Sequence, residues 1–310
     1  MKDFTFIHTN WTKPALNGRW GVNSIEQIIN NIWYYSLSAA YVKRLGKAIE
    51  LHTDNFGKLC LDHIPYNKIH LTLNSIPKYI KPYMWAYGKF HALKRCPLNT
   101  IHIDADVFIK SPRCLNKVND LLSSRCDAIV QCHEFVVNPN KWNYAIYKPS
   151  TEALRKLRYP EWADRNGKNA YNTGFVLFNN QTLKNEYLKE YFRCSKDCCV
   201  DLDLEKSLRN DEHVCPDLVI EQQFLYDVIN KKHFKVGLLI NWLNSNKTAD
   251  QIDYQHIIGK GKYNANNMYM CKKTLMTINY ELYMKTLNKT NYIREYLNKN
   301  KNLYENKIKF

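Results

Sequence analysis

Two acids spaced two apart, Asp104 and Asp106 in the apolar run "TIHIDADVFIK", and the set His256, Gly259 and Lys262 in "HIIGKGK" are the residues of this chain best suited to chemistry. Paired carboxylates repel each other unless a cation lies between them. Hard oxygen ligands suit magnesium or manganese, ions that keep coordination positions open for substrate phosphates. Residues two apart on an extended segment face one side, so both acids are expected to point at one spot at a strand's end. A neutral imidazole can complete such a site, glycine lets the backbone approach a ligand closely, and Lys262 offers a point charge to phosphate.

Chance must be weighed against this. Among sixteen aspartates a D-x-D arises about once at random, and a second one occurs at Asp201 and Asp203. That pair lies in the charged, helix-compatible "VDLDLEKSLRNDE" and reads as a solvated face. The H-x-x-G-x-x-K spacing is rarer, arising by chance in about one chain of this composition in thirty. Ten cysteines include no C-x-x-C pair, so the group Cys194, Cys198, Cys199 and Cys215 reads as reduced thiols rather than a zinc site.

The elements that must position these residues alternate. "FTFIHTN" reads as a strand, and a helical pattern follows from Asn23 to Arg44, with Ser24 and Gln27 able to form a capping box and Gly46 suited to its end. "KAIELHT" and "KIHLTL" read as short strands, and Pro82 opens a helix through "YMWAYGKFHALK" into the strand that carries the acids. Further on come a helix near Leu115 to Leu122, strands at "DAIVQ" and "GFVLF", a looser stretch over 137–170, a helix from Leu183 to Phe192, a charged insert from Cys194 to Cys215, a helix through "VIEQQFLYDVI" and a strand at "FKVGLLI". Such alternation predicts an α/β domain with a mostly parallel sheet, in which ligands sit at the carboxyl ends of the strands. From about Met268 the chain turns rich in Lys, Asn and Tyr. The expected division is therefore a catalytic domain over 1–267 and a basic extension over 268–310.

Taken in order, the motifs resemble a known family. The first strand ending in Thr9 and Asn10, "KFHAL" before the D-x-D strand, "YNTGFVLFN", an acid-Gln pair opening a helix, and H-x-x-G-x-x-K are similar to the A-type glycosyltransferase fold, most of all to the glycogenin-like family 8 enzymes. The likeness runs from about residue 4 to 265 as a string of short motifs. It implies Asp104, Asp106 and His256 as ligands of Mn2+ (or Mg2+), with Lys262 and Gly259 at the diphosphate of a UDP-sugar. It further implies Thr9 and Asn10 at the base, Lys89 in place of the family's usual Arg near the donor sugar, and Asn172 and Gly174, flanking Thr173, at the donor. Glu221 and Gln222 fall where the family has Asp-Gln beside the reacting carbon. The implied reaction is hexose transfer to an acceptor hydroxyl with retention of anomeric configuration.

Two rivals remain from the residues alone. A sugar nucleotidyltransferase would bring a Gly-rich basic loop after the first strand, where this chain has only Gly18, Gly21, Lys13 and Arg19. The net charge of +16 would also fit a non-catalytic protein that binds nucleic acid or membrane, although the motifs disfavour nucleic acid. The opening "MKDFTFIHTNW" lacks the apolar core of a signal peptide, so a cytoplasmic chain is expected, with the basic tail as a candidate contact for anionic membrane or a lipid-linked acceptor. The irregular "NPNKWNYAIYKPS" and the charged insert are the candidate acceptor surfaces.

Overall fold

The computed structural model describes residues 3–15, 24–135, 148, 150–152, 154, 169–201, 215–241, 245–257 and 259–304. In chain order its main elements are β1 (Thr5–Asn10), α1 (Ile25–Arg44), β2 (Ala48–Thr53), α2 (Asn55–Leu61), β3 (Lys68–His70), α3 (Tyr87–Leu93), β4 (Thr100–Ile103), β5 (Val107–Ile109), α4 (Pro112–Ser123), β6 (Ala128–Phe135) and β7 (Asn169–Phe178). They are followed by α5 (Gln181–Val200), α6 (Phe224–Lys231), β8 (Val236–Leu238), β9 (Tyr254–His256), α7 (Ala265–Ile278) and α8 (Tyr280–Lys299).

Seven strands form one sheet in the order β3-β2-β1-β4-β7-β6-β8. All run parallel except β7, which pairs antiparallel with both β4 and β6. The fold is thus mixed α/β with a mostly parallel sheet flanked by helices. Alternation along each strand explains the two layers, since Phe6, Ile101, Leu177 and Ile129 pack on one face and Ile7, Val176 and Val130 on the other.

The first face is covered by α1, α7 and α8, the second by α3, α5 and α6. Helix α1 begins where its cap is expected, with Ser24 Oγ accepting from Gln27 N, and Gly46 follows its end at a positive φ of 67°.

Four expectations change. "TIHIDADVFIK" is not one strand: the chain turns at Asp104–Ala105–Asp106, where Val107 N donates to Asp104 O at 3.0 Å, and β4 and β5 join different sheets. The acids therefore converge through a turn rather than through strand alternation. Strand β7 begins at Asn169, before the expected "GFVLF", so Asn172, Thr173 and Gly174 lie inside its ten residues.

Helix α5 continues past Phe192 through Cys194, Cys198 and Cys199, all buried, because their small apolar side chains extend its inward stripe. The boundary drawn at residue 268 falls inside α7. Met268, Cys271 and Leu275 of that helix and Leu282, Ile293 and Leu297 of α8 are buried in the same core as α1. No helix among the described residues is long and apolar enough to cross a membrane. Asp203 and nearly all of the candidate acceptor stretch "NPNKWNYAIYKPS" lie outside the described residues.

Candidate metal and diphosphate centre

A second, two-stranded sheet builds the centre. Strand β9 pairs antiparallel with β5, placing His256 opposite Val107, and Ile257 N donates to Asp106 O at 3.1 Å. Residues 150 positions apart thereby meet: His256 Nε2 is 3.4 Å from Asp106 Oδ2, and one ligand atom from each of Asp104, Asp106 and His256 lies within 4.8 Å of the others. Backbone pairing also holds Asp104, whose N–H donates to Gly174 O at 2.9 Å.

The imidazole is oriented from behind. Gln131 Oε1 accepts from Tyr254 Oη at 2.8 Å and from His256 Nδ1 at 2.7 Å, so Nδ1 carries a proton and Nε2 is the nitrogen turned to the acids. That is the arrangement typical of ligating histidines. The ring needs the space that Gly174 leaves, since a Cβ there would come within 2.5 Å of His256 Cε1 and 2.8 Å of Gln131 Oε1. Close approach of the imidazole is thus one demand this structure makes at Gly174.

Asp106 is 1 % exposed, and neither of its oxygens receives a well-formed hydrogen bond. Charge compensates instead, with Lys262 Nζ 2.8 Å from Oδ2. Burial works against the carboxylate, yet Lys262 and His256 hold its pKa well below the usual range. Lys262 itself is raised, Asp106 outweighing the effect of burial. Its backbone carbonyl accepts from Tyr34 Oη at 2.8 Å, which ties the motif to α1.

A buried cation forms the floor. Lys89 Nζ lies 3.1 Å from Asp104 Oδ1 and 2.6 Å from Glu221 Oε1, and it donates to Thr173 O at 3.2 Å. Burial disfavours its charge, but the two acids overcome that and raise its pKa, so Lys89 is the charged member. Glu221 is fully enclosed; its Oε1 also accepts from Thr173 Oγ1, and Oε2 has no hydrogen-bond partner. It therefore acts on the centre through Lys89. Glu221 and the buried Gln222 sit on a π-helical turn, Val219–Gln223, a distortion frequent at functional sites.

The remaining expected residues stand nearby. Thr9 Oγ1 is 2.9 Å from His102 Nε2, and burial lowers the His102 pKa well below its ordinary value. Asn10 O accepts from Thr53 Oγ1 at 2.7 Å, and a cavity lined by Asn10, Thr12, Asn31, Tyr35 and Phe56 opens beside the end of β1. Asn172 is held by structure: Nδ2 donates to Glu134 Oε1 at 2.7 Å and Oδ1 accepts from Gly174 N at 2.9 Å. Gly259 opens the short 3-10 turn Gly259–Tyr263 that carries Lys262.

Gln131, Glu134 and Tyr254 were missed by sequence reasoning, and no motif marks them. The two-carboxylate, one-imidazole donor set and the unsatisfied oxygens of Asp106 fit a divalent cation such as Mn2+ or Mg2+.

Among solved structures, a galactosyltransferase, LgtC, in complex with donor and acceptor sugar analogs aligns at 11% identity with a TM-score of 0.44, over 91% of this chain and 100% of that one. Mouse xyloside xylosyltransferase 1, apo form, aligns at 12% identity with a TM-score of 0.39, over 82% and 97%. Likeness at that level bears on neither chemistry nor substrate. No curated protein matches the chain. Residues 4–290 match a single family description throughout, and the chain belongs to that family, DUF6734, described as a family of unknown function.

Proposed function

We propose that the protein is a metal-dependent glycosyltransferase of the A-type arrangement, transferring a hexose from a UDP-sugar to an acceptor hydroxyl with retention. One observation carries the reading: a turn between two sheets and a distant strand bring Asp104, Asp106 and His256 together, with Lys262 in contact. The order of motifs, which resembles the glycogenin-like enzymes, supports it. Asp104, Asp106 and His256 would hold the cation, which when bound supplies Lewis-acid stabilisation of the departing diphosphate.

The chain's own groups do the rest. Lys262 places a positive charge beside the diphosphate, and the backbone around Gly259 leaves it room. Lys89, kept charged and fixed by Glu221 and Thr173, faces the donor sugar from below Asp104. The base lies against the end of β1, at Thr9 and Asn10. Gln222 adjoins the reacting carbon.

UDP release from a panel of UDP-sugars with Mn2+ tests this. Asp106→Asn is expected to lower the rate on the order of 100-fold. An unchanged rate in the folded variant rejects the assignment.

For the acceptor we favour a lipid-linked glycan at an anionic surface. Tyr269, Met270 and Tyr280 are exposed on α7 and α8, and Lys273 of α7 is exposed as well. Sedimentation with anionic vesicles should fall when these three side chains are replaced by Ser. Undiminished binding would clear this face of the role.

A further inference from the structure

A second group of ligating side chains lies on the same sheet, two strands away from the acids. On β2, Glu50 and His52 share one face, and His52 pairs in register with His70 of the edge strand β3. One ligand atom from each of Glu50, His52 and His70 lies within 4.8 Å of the others. The two imidazole rings stack 4.4 Å apart at 13°, and His70 Nε2 is 2.6 Å from Glu50 Oε2.

We propose that Glu50, His52 and His70 form a second metal site, for a borderline transition-metal ion of the zinc class. The donor set is two imidazoles and one carboxylate, which suits zinc better than the acid-rich centre does. His52 is flanked as a ligating histidine is: Nδ1 meets Thr72 Oγ1 at 3.0 Å, and Nε2 lies 3.6 Å from Cys96 Sγ. Cys96 Sγ, which also donates to Ala92 O at 3.3 Å, is not among the clustered ligand atoms, so the fourth position of a tetrahedral ion falls to water.

At the other side, the ion replaces the proton shared by His70 and Glu50. The pair then opens to about 3.4 Å, and the His70 ring, stacked on His52 at 13° in the ion-free chain, turns so that both ring planes meet at the ion. Glu50 supplies the compensating charge against Lys68, which is exposed to solvent, and Arg95, whose guanidinium donates to His91 O and Ser75 Oγ.

The site joins β2 to an edge strand of three residues. It is separate from Asp104, Asp106 and His256 and does not depend on the transfer reaction. Its role is structural, holding the end of β2 whose His52 pairs with Thr9 of β1.

The test uses the full-length Asp106→Asn chain, stripped of metal by chelator and titrated with Zn2+ by calorimetry and thermal denaturation. One tight equivalent should remain and raise Tm by roughly 5 °C at saturating metal. Adding His70→Gln, on a partly buried side chain of the edge strand, should abolish both. The proposal is overturned if the Asp106→Asn chain binds no zinc after dialysis, or if the folded double variant binds it as before. Should the double variant not fold, zinc-edge anomalous diffraction from Asp106→Asn crystals decides. A peak between Glu50, His52 and His70 supports the site, and its absence there refutes it.

Discussion

Lys262 holds the position a divalent cation would neutralise, its ammonium 2.8 Å from Asp106 Oδ2 in the ligand-free chain. On the proposed reading a metal entering this centre displaces that ammonium, which would then be free for the diphosphate. Lys262→Met should accordingly have opposite effects on two ligands. Mn2+ alone is expected to bind about tenfold tighter, the equivalent of ~1.4 kcal/mol, while UDP in the presence of Mn2+ binds about tenfold more weakly. Calorimetric titration of each checks this, and a parallel fall in both affinities would refute the displacement. At this scale the sequence was informative where residue type carries the chemistry, as in Asp104, Asp106, His256 and Lys262. It was silent where an ordinary residue matters through its partner. Gln131 reads as one more strand residue until Tyr254 and His256 are seen to share its oxygen.

Between elements, the deciding contact is β7 against β9. Alternating helices and strands made the large sheet legible, because periodicity and caps are local signals. The break between β4 and β5 was not, since an apolar run interrupted by two acids looks continuous until β9 arrives to pair with its second half. The burial of α7 and α8 was also hidden, because their Lys, Asn and Tyr content masks a sparse inward stripe of Met268, Cys271, Leu275 and Leu282. Gly174 tests the β7–β9 contact directly. Gly174→Ala puts a methyl into the His256 ring and its Gln131 partner, two side chains held in place by their hydrogen bond to each other and by that of Gln131 to Tyr254. The expected cost is about 1–3 kcal/mol of stability, together with weakened Mn2+ binding as the imidazole leaves its position. Urea denaturation and metal titration measure the two effects, and a variant equal to wild type in both would show that the ring tolerates the crowding.

Across the whole molecule, ionisable groups are buried under both faces of the sheet, and their effects on acid stability oppose one another. Burial pushes the His91 and His52 pKa values down to about 4 and that of His8 to about 3. Burial pushes Asp217, Glu134 and Glu221 up. A histidine whose folded pKa lies below its unfolded value of about 6.5 binds fewer protons when folded, so its contribution is complete above that pH and is lost as pH falls towards the folded value. The raised acids act in the reverse sense, because they take up protons in the folded state. Total stability against pH therefore mixes both signs, and a single histidine has to be isolated by difference. His8 suits this: it is fully buried, its Nε2 meets Ser38 Oγ at 3.0 Å, and Ser38 in turn donates to Val107 O at 2.7 Å at the start of β5. His8→Gln keeps a hydrogen-bonding side chain there but cannot titrate. The variant should be less stable than wild type at pH 7.5, and by pH 5.5 that gap should narrow by about 1.4 kcal/mol, one pH unit of a single proton's linkage. Urea denaturation of both chains at the two pH values, in chelator, gives the gap. If it is the same at both, His8 titrates in the fold as it does in the unfolded chain, and if it widens, His8 carries its proton in the fold; either result shows that the neutral bridge between β1, α1 and β5 is wrong.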